Sequence, residues 1–339
     1  MKPARITVLI EHLLSLFSAV SPELRFDALE TILARARFTP GTLGDSDAVR
    51  FRLFGLDHNG PLAVAALTCL SDRSTEGDAT WPWPGDSYFL RADPVTLHAD
   101  LSSVLMTGLG FADLEKNERL EIEKTVLGVF REEGLTLVSR HPERWTVLME
   151  KPLEYSFPSL QTALGMDVAE ALPDHPEARY WRRLLNEIQM VLHANPVNRQ
   201  RRQQGMREIN SVWFWGAGSL PARSTGTGFE RVYSDHPVSR GLALHNEYLL
   251  HGLGALQGHA EALGGQARLL VDWTPHPGTV EEQIQRLDKQ LAALIQIAEK
   301  RAAVLHILSG DGSLWAYDRS CAMRFWRRKS PVSHWAGRP

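Results

Sequence analysis

Residues 186–221, NEIQMVLHANPVNRQRRQQGMREINSVWFWGAGSLP, constrain the fold more than any other stretch of the chain. Trp181, Leu184, Leu185, Ile188, Val191 and Leu192 recur at i, i+3, i+4, i+7, i+10 and i+11, an apolar stripe of helical period. Asn186, Gln189 and His193 form a polar row on another face. Asn195-Pro196 ends this helix, because the residue before a proline is pushed out of the α region. An arginine-rich turn with Arg199, Arg201, Arg202 and Arg207 follows, then a strand-like run Ile209–Trp215 and the loop Gly216-Ala217-Gly218. Guanidinium groups pair with carboxylate or phosphate, and glycines at a strand end let backbone approach a ligand. The ordered combination therefore suggests an anion-holding loop. Taken singly, the same parts read as a solvated basic loop and as tryptophans packed on a sheet.

The chain of 339 residues, 43% hydrophobic and 23% charged, is long enough for two domains of an ordinary globular protein. A net charge of −3 gives no basic field to steer it to nucleic acid. The run Arg324-Phe325-Trp326-Arg327-Arg328-Lys329 mixes basic and aromatic residues, yet one short run reads more readily as a tail or a domain latch. Cys69 and Cys321 form no framework, which suits a reducing compartment. No segment approaches the roughly 18 apolar residues of a membrane span. Glu11 and His12 interrupt the first apolar run, against an export signal, so the cytoplasm is the expected location.

Residues 6–10 (ITVLI) read as a buried strand and 27–37 as a helix. A polar stretch with two Trp-Pro pairs at 72–87 marks a domain boundary. Beyond it come a strand around YFLRADP, a helix around 113–133 and a hairpin of 135–139 with 145–149, an α+β region. In the last third, strand 268–271 leads to Asp272, and Thr279 with Glu282 forms a capping box for a long helix. Strand 304–308 then runs into Ser309-Gly310-Asp311, which makes a strand–helix–strand unit and a parallel pair. The division predicted is 1–87 and 256–339 as two parts of an α/β core, with 88–255 as an inserted α+β cap.

Ligands of open α/β sheets bind beyond the carboxyl ends of the strands. Asp272 and Asp311 fall there, and Glu11 joins them if the first strand shares the sheet. His276 lies four residues after Asp272, so both could reach one ion, and oxygen with imidazole ligands suits zinc or manganese. Aspartate after a strand is also common as a turn former or a helix cap.

Asn195-Pro196-Val197-Asn198, Arg199–Arg202, Gly205, Ile209-Asn210 and Trp215-Gly216-Ala217-Gly218 resemble the motif of archaeal-type cofactor-independent phosphoglycerate mutases. The finer pattern Asn-Glu-x-Gln-Met, Pro-Val-Asn, Ile-Asn-Ser and Trp-x-Trp-Gly resembles the bacterial RpfE-type regulatory proteins, as do RADP at 91–94 and FWRR at 325–328. The resemblance implies an alkaline-phosphatase-like α/β core with an inserted cap. It also implies phosphoryl transfer through a serine at a two-metal site, with arginines gripping the substrate. Carried over, DWTPHPG makes Asp272 and His276 metal ligands, and Ser46 in Gly44-Asp45-Ser46-Asp47 becomes the nucleophile candidate. Ser309-Gly310-Asp311-Gly312 resembles the later Asp-His motif with its histidine replaced by Gly312, and Glu11-His12 stands where the family has Asp-Gly.

A two-metal centre needs a nearly complete ligand set. The expectation is thus a mutase-like regulatory or anion-binding protein with a degenerate metal site formed by Asp272, His276, Asp311 and Glu11. Its ligand would be a phosphorylated or carboxylated small molecule, held by Asn198, Arg199, Arg201, Arg202, Arg207, Asn210, Gly216 and Gly218. The alternative is an active metal-dependent phosphotransferase or phosphatase using Ser46.

Overall fold

The computed structural model describes residues 4–42, 45–56, 61–75, 83–100, 103–109, 114–172, 174–224, 228–256, 268–275 and 277–335. The chain forms two compact units, one of residues 1–58 with 223–339 and one of residues 59–222.

The first unit is built on a sheet of β1 (Arg5–Ile10), β2 (Arg37–Thr39), β8 (Arg231–Ser234), β9 (Leu249–His251), β10 (Arg268–Trp273), β11 (Val304–Ser309) and β12 (Leu314–Tyr317), numbered along the whole chain. Its spatial order is β2-β12-β11-β1-β10-β8-β9. β1 is parallel to both β10 and β11, pairing Leu9 with Asp272 on one side and Ile10 with Ser309 on the other. A continuous apolar run such as ITVLI suits this central place, because parallel strands are covered on both faces. Ile6, Val8, Leu9 and Ile10 are all buried. β1 therefore lies between the two strands that the strand–helix–strand pattern made neighbours, and β10 and β11 do not pair with each other.

Helix α1 (Leu13–Ser18) follows β1, and α2 (Asp27–Arg35) packs against the long helix Val280–Arg301, numbered α11 below. The Thr279–Glu282 capping box forms as the spacing requires, and Ile284, Leu287, Leu291, Leu294 and Ala298 enter the core. Asp288 of α11 accepts a bond of 2.8 Å from the Leu29 amide. Arg324 and Arg327 donate to the carbonyls of Arg35 and Ala34 at 2.9 and 3.4 Å, so the basic C-terminal run is moored to the end of α2, while Phe325 and Trp326 stay exposed. Cations favour that end of a helix.

The second unit carries a sheet of β3 (Tyr88–Ala99), β4 (Val104–Leu109), β5 (Thr136–His141), β6 (Arg144–Met149) and β7 (Ser211–Gly218), in which β3 pairs antiparallel with β4, β6 and β7. The predicted hairpin is β5–β6. Helix α4 (Val64–Thr75) packs on β3, β5 and β7, and so do α5 (Lys116–Glu132) and α8 (Ala178–Ala194) on strands of this unit. The short helices α6 (Leu160–Ala163) and α7 (Val168–Ala171) lie between α5 and α8 in the chain.

The units thus part near 58 and 222, whereas the expected division has boundaries at 87 and 255. α4 belongs to the antiparallel sheet despite preceding the Trp-Pro stretch. β8, with the helix α10 (Pro237–His245), belongs to the parallel one. The arginine-rich segment is not a turn: Pro196 takes the first helical position, Asn195 caps it through its side chain, and α9 runs Pro196–Gln203. Proline ends one helix and starts the next, since its fixed φ suits a first turn. Among the described residues no helix is long and apolar enough to cross a membrane.

Candidate functional site

At the carboxyl ends of β1 and β10 the first unit gathers three carboxylates around one arginine. Helix α3 (Ser46–Leu53) starts from Asp45, whose side chain accepts from the Asp47 amide, and one turn later α3 delivers Arg50 to the sheet. Arg50 Nε donates to Asp272 Oδ2 at 2.9 Å, Nη1 to Asp47 Oδ1 at 3.0 Å, and Nη2 to Glu11 Oε2 at 2.8 Å. Ser239 Oγ, from α10, completes Asp272 Oδ2 at 2.6 Å. Arg50 and Asp272 are 1% and 0% exposed, so this is a charge cluster taken out of water and stabilised only by its internal pairing.

Burial works against each charge, and the pairing overrides it. Asp272 and Glu11 are both held below the usual carboxylate range, chiefly by Arg50, and the Arg50 pKa is raised by Asp272, Asp47 and Glu11. His236 Nε2 lies 3.9 Å from Glu11, but burial and then Arg50 lower its pKa, so it is a neutral neighbour at pH 7. On β11, burial with Arg5 and Arg37 brings His306 down to about 4.

The folded-state pKa values of Glu11, Asp272, His236 and His306 lie below the unfolded ones, so the unfolded chain binds more protons and stability is lost as the pH falls. Thermal melts from pH 8 to 3 should therefore drop in two stages. The first runs from about 6.5 toward 4, as His306 and His236 resist protonation, and the second lies below about 4, where Glu11 and Asp272 are forced neutral. His306→Gln should remove much of the first stage. A melting temperature unchanged between pH 7 and 5 in the wild type would contradict this ordering.

The rim does not fit the metal centre that the resemblance implies. Each carboxylate already faces a nitrogen of Arg50, and among the described residues no group of three His, Cys, Asp or Glu side chains is placed to hold an ion. Glu11 and Asp272 do converge. Asp311 turns away into its own loop, accepting from the Ser313 amide at 2.9 Å and from the Ser309 and Ser313 hydroxyls. It is the turn former of the alternative reading. Ser46 opens α3, with its hydroxyl against Gly310, where even a Cβ would collide with it and with the Glu11 carbonyl. His276 lies outside the described residues. Sequence reasoning passed over Arg50, Asp47, Ser239 and His236. The Asp47–Arg50 spacing, three residues within a helical turn, was the available signal.

In the second unit the expected anion loop is largely occupied by the protein itself. Asn198 is fully buried and donates to the Leu192 and Ile209 carbonyls at 3.0 and 2.7 Å while accepting from the Ile209 amide. Asn210 bonds both backbone groups of Leu97, extending the edge of β3. Arg201 is buried, bound to the Arg207 carbonyl and Glu118, and Arg202 pairs with Glu208 and the His193 carbonyl. Arg199 and Arg207 are exposed. Gly216 has φ +65°, and at Gly218 a Cβ would come within 2.6 Å of Ala63, so the glycines admit the start of α4 against β7. The RADP and Trp-x-Trp motifs meet here as well. Asp93 accepts from Arg91 Nε at 3.0 Å and from Trp215 Nε1 at 2.7 Å, and Arg91 stacks over the Trp215 ring.

Together these features define a mixed α/β protein: a mixed sheet with five parallel strands, an antiparallel β12–β2 edge and an acidic strand-end rim, its chain interrupted by an α+β unit. No protein-family profile matches the chain. Segments of it are similar to the 2,3-bisphosphoglycerate-independent phosphoglycerate mutases of Methanosarcina barkeri, 32% identical over 94 residues and 28% of this chain, and of Methanothrix thermoacetophila, 27% over 148 residues and 44% of this chain. These matches span 22% and 33% of those relatives' own lengths. In fold the chain is similar to the PH0037 protein of Pyrococcus horikoshii, with a TM-score of 0.55 and 13% identity over 93% of this chain and 87% of that one. Against the cofactor-independent phosphoglycerate mutase of Thermoplasma acidophilum the TM-score is 0.46, at 15% identity over 100% of this chain and 96% of that one.

Proposed function

We propose that the chain is a phosphoglycerate-mutase-like protein of RpfE type that works in the cytoplasm as a regulatory or anion-binding protein without mutase turnover. The partial likeness to archaeal mutases supports the scaffold. The observation that carries the loss of turnover is the seating of Arg50 among Glu11, Asp47 and Asp272, where it engages both oxygens of Asp272 and one each of Glu11 and Asp47. Gly312, which cannot coordinate through a side chain, points the same way. The ligand is a phosphorylated or carboxylated small molecule, and exposed Arg199 and Arg207 are the guanidinium groups left to meet it.

Two measurements test this. A coupled assay with 3-phosphoglycerate and manganese should yield no 2-phosphoglycerate above background. Turnover abolished by Ser46→Ala would instead make the protein a metal-dependent phosphotransferase. Calorimetric titration with phosphoglycerates and nucleotides should give binding that weakens at least about tenfold in an Arg199→Ala/Arg207→Ala variant, the loss of two charge-assisted contacts. Absence of binding to every anion would end the anion-binding role.

A further inference from the structure

We infer that the Arg50 guanidinium is a built-in cation standing where this acidic rim would otherwise take a divalent ion, and that cutting the side chain away turns the cluster into an ion site. The carboxylates come from three separate places: Glu11 after β1, Asp47 in the first turn of α3, and Asp272 at the end of β10. Gathered without a cation they would repel one another, and one or more would take up a proton. Arg50 prevents this by donating to all three, Nε to Asp272, Nη1 to Asp47 and Nη2 to Glu11 and Asp272. One positive against three negative charges leaves these four side chains at −2, so the rim itself repels anions.

A guanidinium is broad and flat, whereas a divalent ion is compact and draws oxygens to about 2.0–2.6 Å. The two therefore cannot share the space, which the Arg50 side chain, 1% exposed, already takes. Removal of the side chain beyond Cβ leaves a cavity faced by three carboxylates and the Ser239 hydroxyl. Hard oxygen donors of this kind suit manganese, magnesium or calcium. Asp272 is fixed in the sheet, but Glu11 and Asp47 are 26% and 18% exposed on a loop and a helix start, so they can close in on a smaller cation. The inference holds whether or not the protein binds an anion elsewhere.

The test uses the full chain as wild type, Arg50→Ala and Arg50→Ala/Asp272→Asn, each melted with and without millimolar manganese and titrated by calorimetry. The wild type should carry no stoichiometric metal and show no manganese-dependent shift. Arg50→Ala should melt several degrees lower and recover at least half of the loss in manganese. The double variant should bind the ion at least an order of magnitude more weakly. If Arg50→Ala is unfolded without metal, circular dichroism during the manganese titration reads its folding directly. Stoichiometric metal in the wild type, an Arg50→Ala protein that neither binds nor folds with manganese, or equal affinity in the double variant would each overturn the inference.

Discussion

Asp272→Ala is expected to cost about 3–5 kcal/mol in urea unfolding, the range found when one partner of a buried ion pair is removed. The loss exceeds that of a surface bridge, because Asp272 is fully buried and its oxygens answer Arg50 Nε, Arg50 Nη2 and the Ser239 hydroxyl together. Without it Arg50 keeps Glu11 and Asp47, but Nε is left buried with no acceptor. Asp272→Asn keeps the shape and loses the charge, so its cost should be smaller yet still above that of Asp311→Asn, whose carboxylate serves only its own turn. A double-mutant cycle between Arg50→Met and Asp272→Ala should return a coupling energy of about 1–3 kcal/mol, the range for side chains in one network. Additive losses would show that the two side chains act independently and would contradict the geometry.

Asn198→Ala should destabilise by about 2 kcal/mol or more, since the buried amide and carbonyl of Ile209 lose their partner at about 1–3 kcal/mol each, while the Leu192 carbonyl keeps the Asn195 amide. Leu192 is in the last turn of α8 and Ile209 lies just before β7, so one amide side chain ties a helix end to a strand entry across α9. Asn198→Asp is isosteric but loses both donor bonds, and should fall nearly as far. A loss below about 1 kcal/mol accompanied by weaker phosphoglycerate binding would return Asn198 to the role of a ligand contact.

How much of this was legible beforehand varied with the physics. Periodicity and caps act locally, so the α8 stripe, the Thr279 capping box and the β5–β6 hairpin could be read directly. The first strand's apolar run announced a doubly covered strand, and its place in the sheet with Glu11 at its end followed. Its position between β10 and β11 did not, because order in a sheet is a property of distant segments. Arg50 stayed hidden for a similar reason: its i,i+3 spacing from Asp47 marks only a local helical pair, and only the fold shows that it meets Asp272. The Asn and Gly positions of the 186–221 motif serve backbone satisfaction and close helix–strand packing in the fold, needs that select the same residue types as anion binding.

The parallel sheet also sets a schedule for synthesis. β1 leaves the ribosome long before both strands that flank it, since β10 and β11 come from beyond residue 267. The antiparallel unit, contained within residues 59–222, is complete long before then and can fold while the first strand waits. Contacts so distant along the chain form slowly and leave an apolar edge exposed in the interim. A nascent chain stalled near residue 225 should accordingly shelter its second unit from protease while its first 58 residues are still cut, and it should depend on chaperones more than the finished protein does.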